Sequence, residues 1–124
     1  MKMKAYWHIH HNILLEFSDN IQERIDYIKA KKASEQIPTR LKLLKEVKGE
    51  LPAEISEACT VRDEAWVAYC EKAVCEEAKA WVAYHKAWVA YHQVLIKYAN
   101  EIEALHTKGC PGCPWNGHTI FPIG

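Results

Sequence analysis

Near the end of the chain, in LHTKGCPGCPWNGHTIFPIG, residues His106, Cys110 and Cys113 stand in the spacing H-x3-C-x2-C. Two cysteines separated by two residues can turn both thiolates onto one metal ion, and Pro111 and Gly112 suit the bend between them. His106 lies about one helical turn before Cys110 and offers a third donor. Structural zinc takes four Cys or His ligands in a tetrahedron. The fourth is sought among His118 in the tail and His10 or His11 in the segment HIHH at residues 8–11. The expectation is a structural zinc site of His106, Cys110 and Cys113, completed by His118, His10 or His11.

The same CPGC stretch has the form of a redox dithiol. Such pairs normally place the first cysteine at a helix N-terminus, where the dipole favours the thiolate. Here the pair follows a helical pattern, and the C-terminal end of a helix disfavours an anion. The other candidates for chemistry are thinner. His85 and His92 are seven residues apart, about 10.5 Å of helical rise, so they cannot share a metal on one straight helix. Ser18, Ser34 and Ser56 are the only serines, and none sits in a nucleophile motif. With no glycine-rich phosphate loop either, the chain reads as a non-enzyme.

The elements that must position these groups follow from periodicity. Trp7, Ile9, Ile13, Leu15 and Phe17 alternate with Lys4, His8, His10, Asn12 and Glu16, which predicts a β-strand with one buried face. On that pattern His10 falls on the polar side and His11 on the apolar side. Asp19 and Gln22 resemble a capping box, and Ile21, Ile25 and Ile28 repeat at helical spacing, which predicts a helix over 19–33. ASEQIPT reads as a connector. Leu41, Leu43 and Val47 alternate with charged residues and predict a second strand ending at Gly49. Residues 1–50 thus read as a strand–helix–strand unit.

Ala53 to Lys108 contains no Gly and no Pro, and AWVAY occurs in it three times, at 65–69, 80–84 and 87–91. Trp81, Tyr84, Trp88 and Tyr91 lead an aromatic stripe, with Ala83 and Ala90 in an alanine stripe beside it. Large knobs next to small residues are helix-packing material, so residues 51–108 read as a helical repeat section, coiled-coil-like, that contacts another protein or a second copy. One helix of this span would measure about 80 Å, far beyond a compact domain of this size. It therefore either projects as one helix or folds into a hairpin, with breaks expected near Cys59–Thr60 or Ala78. Residues 109–124 form the cysteine-containing tail. The fold class expected is α+β.

Composition narrows the setting. The 124 residues carry 49% apolar and 26% charged side chains with zero formal net charge, which suits one folded domain and argues against general electrostatic capture of nucleic acid. The charge is uneven. Residues 29–48 hold seven bases against two acids, whereas residues 50–103 hold ten acids against five bases. That basic segment, with a zinc knuckle, keeps a nucleic-acid-associated protein as the alternative. MKMKAYWHIHHN has histidines where a signal peptide has its apolar core, and no apolar run approaches the roughly 20 residues of a membrane span. Five cysteines without a disulfide-style framework point to a reducing cytoplasm.

Over nearly its whole length the chain resembles a group of small bacterial and phage-associated proteins. The resemblance rests on IHHNILLE, IDYIKAKK, RLKLLKEVKGELP, the Ala/aromatic repeats and the ending IEALHTKGCPGCPWNGHTIFP. It implies a repeat section that varies in length between recognisable ends, which suits a helical spacer or hairpin. It implies no activity. His118 falls at an open position of the group's CPxCPWNGxTIFP pattern, and a histidine there is not typical of the group.

Overall fold

A computed structural model describes residues 3–71 and 77–121. The class is α+β, and the chain divides into two units: Met1–Gly49 with Ala104–Gly124, and Glu50–Glu103. No helix among the described residues is long and apolar enough to cross a membrane.

The first unit opens with strands β1 (Lys4–Trp7) and β2 (Leu15–Ser18), followed by helices α1 (Ile21–Lys31) and α2 (Ile37–Leu43) and the short strand β3 (Lys45–Glu46). The strands form one antiparallel sheet in the order β2-β1-β3, with Trp7 opposite Leu15 on one side and Lys45 on the other. The single long strand expected over the first segment is instead a hairpin. The alternation breaks at His8, whose φ of 56° lies in the left-handed region. That conformation is uncommon for a residue with a Cβ. It turns the chain, and the His8 N–H donates to the Leu14 carbonyl at 3.1 Å across the loop base.

Helix α1 forms where the isoleucine spacing places it, but its cap lies one residue later than expected. The Asn20 side chain accepts from the Glu23 N–H at 3.2 Å, satisfying one of the helix's free N–H groups. The predicted second strand is shorter than expected: its first residues, Arg40–Leu43, belong to α2. Pro38 occupies the first turn of that helix, where a proline's missing N–H costs nothing. Arg40 and Leu43 are both buried at i, i+3 spacing, so the helical period competes with, and beats, the short alternation read there. Only Lys45–Glu46 remains strand.

Trp7, Ile28 and Ile120 are almost completely buried in this unit, with Tyr6, Ile9, Leu15, Leu43 and Cys110 around them. The tail is part of this core. Ile120 packs with Leu43 and Cys110, flanked by Cys113, Trp115 and Phe121, and its N–H donates to the His11 carbonyl at 2.9 Å. Burying each such large apolar side chain contributes about 1.5–3 kcal/mol.

The second unit is an antiparallel helical hairpin of α3 (Ala53–Glu71) and α4 (Glu77–Lys97). Of the two expected break points, Cys59–Thr60 lies inside α3, whereas α3 ends at Glu71 and α4 begins at Glu77, next to the point expected around Ala78. Cys75 lies outside the described residues. Ile55 and Cys59 on α3 are buried, as are Ala80, Ala87 and Tyr91 on α4. The repeats pack reciprocally: Trp66 meets Tyr84 at 5.1 Å between ring centroids, and Tyr69 meets Trp81 at 5.6 Å. Arg62 stacks over the Tyr91 ring at 4.3 Å. Lys97 bonds Glu54 at 3.1 Å across the open end, an exposed pair that water and salt screen. Ala83 and Ala90 are exposed, so the alanines that seat the hairpin are Ala80 and Ala87. Helix α5 (Ala99–Gly109) follows Tyr98 at once, and Ile102 N–H donates to the Tyr98 carbonyl at 3.0 Å, so helical bonding runs through the junction.

Candidate metal centre

Helix α5 sets up the site in the first unit. His106 stands one turn from its end, and the Cys110 N–H donates to the His106 carbonyl at 2.8 Å, continuing the helical bond into the turn. The chain then reverses: the Cys113 N–H donates to the Cys110 carbonyl at 3.2 Å, with Gly112 at φ 74°, where a side chain would be strained. Both thiols therefore face the His106 ring. Trp7 backs that ring edge-on at 5.1 Å. A Cβ at Gly109 would lie 3.1 Å from the Trp7 indole nitrogen, so the helix end and the indole are in close contact.

The fourth member is His8. One ligand atom from each of His8, His106, Cys110 and Cys113 lies within 4.8 Å of all the others. His8 Nε2 is 3.0 Å from His106 Nε2 and 3.2 Å from Cys113 Sγ. A tetrahedral zinc with ordinary Zn–N and Zn–S bonds separates its donors by about 3.3–3.8 Å. The donor set is therefore already near the size of such a polyhedron. His8, His106 and Cys110 are buried, and Cys113 is half-buried. The group can hold a metal ion.

The three histidines expected to compete for the fourth place lie elsewhere. His10 is exposed and pairs with Glu16 at 2.6 Å. His11 Nδ1 is 2.9 Å from Thr119 Oγ1, so it fastens the tail as a hydrogen-bonding residue. His118 is exposed in the turn where Asn116 Oδ1 accepts from the His118 and Thr119 N–H groups. His8 was missed because strict alternation sends it to the polar face. The left-handed turn at that residue puts Tyr6, Trp7, His8 and Ile9 all inside.

Burial dominates the electrostatics. It lowers His8 to about 4, with the nearby His106 imidazole acting in the same direction. It also raises the Cys110 thiol to about 11, helped by the neighbouring Cys113. Both groups are thus held neutral, and a metal must displace the Cys110 proton to bind. For chelator-treated protein a pH dependence follows. Between 6.5 and about 4 the unfolded chain takes up a proton at His8 that the folded chain refuses. Stability is then highest above that window and falls as the pH drops through it. Urea midpoints measured across the window are expected to decline; a midpoint independent of pH there would place His8 in water.

The remaining aromatic residues form a ladder on the hairpin. Trp81, His85 and Trp88 stack at 6.3 and 6.4 Å, and His92 lies 4.1 Å from Trp88. Trp81, Tyr84, His85 and Trp88 line a shallow cavity of about 300 Å³. Tyr91, expected in this surface, is buried beneath Arg62.

Compared with family models, curated proteins and solved structures, the chain gives no match in any of the three.

Proposed function

We propose that this chain is a small zinc-stabilised interaction protein, working by contact with protein surfaces and first of all with its own copies. The observation that carries the zinc half is the closed donor set of His8, His106, Cys110 and Cys113. Two thiolates and two neutral imidazoles around Zn2+ sum to zero charge, which suits a buried place better than any charged alternative. Four protein ligands leave no position for water or substrate, so the metal's role is structural. The ion would fasten the β1–β2 loop to the end of α5 and the tail.

A thiol redox role is disfavoured by the same geometry. Reactive dithiols lower a cysteine pKa, whereas burial raises Cys110 to about 11. The thiols at Cys59, Cys70, Cys110 and Cys113 are free.

The interaction half rests on α4. Trp81, Val82, Trp88 and Ile96 are 49%, 51%, 43% and 75% exposed, although Ala80, Ala87 and Tyr91 already fill the α3 contact. A helix apolar well beyond its packed stripe is normally covered. Elemental analysis of untagged protein purified without chelators is expected to give about one zinc per chain, and light scattering a mass above that of one chain. Metal-free protein would sink the first half of the reading, and a monomer at all concentrations the second.

A further inference from the structure

Arg40 is a buried cation in the first unit that forms no salt bridge among the described residues. It is 6% exposed, and its Nε and Nη2 donate at 3.2 and 2.9 Å to one neutral acceptor, Gln36 Oε1. A guanidinium has five N–H donors and a full charge, and burying a charge without a counter-charge is costly. Its neighbours deepen the imbalance. Arg24 and Lys32 flank the Tyr27 ring, with the guanidinium and ammonium 5.2 and 5.5 Å from its centre. Arg24 donates Nε–H to the Ile9 carbonyl at 3.0 Å, while its Nη2 is buried with no hydrogen-bond partner. Arg40 itself lies over Phe121 at 5.2 Å, and His11 packs against the same ring at 6.1 Å.

These groups feel one another as like charges. Burial and then the Arg24 guanidinium lower Arg40; burial, then Arg40 and Lys32, lower His11. No salt bridge among the described residues joins Arg24, Lys32 or Arg40 to a carboxylate. Of the acids nearby in sequence, Glu16 contacts His10, Asp26 contacts Gln22 and Glu35 contacts Ser34, while Asp19 and Glu23 line a cavity beside Arg24 and Tyr27 without an ion pair to either Arg24 or Arg40. Two aromatic faces steady the cations, but a cation–π contact does not neutralise them. Two guanidinium groups with unused donors, an ammonium and an imidazole at one junction form a receptor for an oxyanion.

We propose that Arg24, Lys32, Arg40 and His11, where α1, α2 and the β1–β2 loop meet, bind a phosphate group. The site shares no residue with the metal centre, so it stands or falls independently of the zinc reading. The phosphate is that of a small phosphorylated compound or of a nucleic-acid backbone.

Calorimetric titration of the full-length chain distinguishes these sources, using inorganic phosphate at constant ionic strength in chloride and, separately, a short oligothymidylate. Phosphate is expected to bind and to raise the melting temperature. Arg40→Met is expected to weaken binding by about tenfold or more, the usual effect of losing a charge-assisted contact. The same variant should melt no lower than the parent in phosphate-free buffer, because it removes an uncompensated buried charge. Oligothymidylate binding that phosphate competes away identifies a backbone phosphate; phosphate binding alone identifies a small ligand. Lys32→Gln and Arg24→Gln, both at half-buried positions, serve if Arg40→Met fails to fold. The proposal is overturned if neither titrant binds, or if folded variants retain the parent's affinity.

Discussion

Zinc is lost from His8→Ala and Cys113→Ser and kept by His10→Ala, His11→Ala and His118→Ala. This is the result expected if the four grouped donors are the ligands. Structural zinc binds with about 10–16 kcal/mol in small domains, so each of four ligands carries roughly 2.5–4 kcal/mol, and one deletion costs about sixtyfold or more in affinity. His10 is tied to Glu16 and His11 to Thr119, His118 is exposed, and none of the three belongs to the donor group. His11→Ala is the informative control. It removes the hydrogen bond to Thr119 and should loosen the tail slightly, while leaving metal content unchanged. Competition with a chromophoric chelator reads the affinity of all five variants. Retention of zinc by His8→Ala with loss in His11→Ala would reverse the assignment.

A structural consequence accompanies the metal. Cys110 and Ile120 are 3% and 2% exposed and share a cluster with Leu43, so the donors and the tail's apolar anchor form one packed body. If the four donors hold zinc, its removal from the parent is expected to lower the melting temperature and raise amide exchange over residues 110–121. Exchange confined to residues on α3 and α4 would show that the ion does not hold the tail.

Three of the four donors were legible because H-x3-C-x2-C is a local pattern, and local spacing maps directly onto a helix end and a turn. The fourth depended on a backbone torsion. His8 sits in an alternating run, and nothing in HIHH states that the chain turns left-handed at its first histidine rather than its second or third. The same limit explains the first fifty residues. Alternation gave strand character to Lys4–Ser18, but the hairpin within it has no Gly-based turn to announce it. Leu41, Leu43 and Val47 fit a strand period, while Ile37, Arg40, Leu41 and Leu44 fit a helical one; Pro38 suits the start of a helix as well as the end of one. Choosing between the two periods needed the packing of Leu43 against Cys110 and Ile120, which are distant in sequence. The AWVAY repeats showed that helices pack there, but the alanines singled out, Ala83 and Ala90, lie on the exposed face, because the hairpin's own register puts Ala80 and Ala87 against α3.

That register separates two sets of alanines, and glutamate at each gives opposite results. Ala80 and Ala87, each 8% exposed, lie against α3 where Ile55 and Cys59 are buried. A glutamate at Ala87 must either carry its charge into that contact or push the helices apart, at a cost of about 3 kcal/mol or more. Ala87→Glu is therefore expected to melt far below the parent, or to lose cooperative unfolding. Ala83 and Ala90 are exposed, and glutamate there is expected to change the melting of an isolated chain by no more than about 0.5 kcal/mol. If copies of the chain associate through the outer surface of α4, the Ala83→Glu, Ala90→Glu double variant instead lowers the solution mass while leaving helix content intact. Trp88→Glu provides a second probe on the aromatic side, because Trp88 is 43% exposed and its ring contacts among the described residues are His85 and His92. Mass and melting measured together assign each result: a change in melting reports the hairpin, and a change in mass reports the surface between copies. An Ala87→Glu protein that melts like the parent would mean that α3 does not rest on that face of α4, and the helical register described above would be wrong.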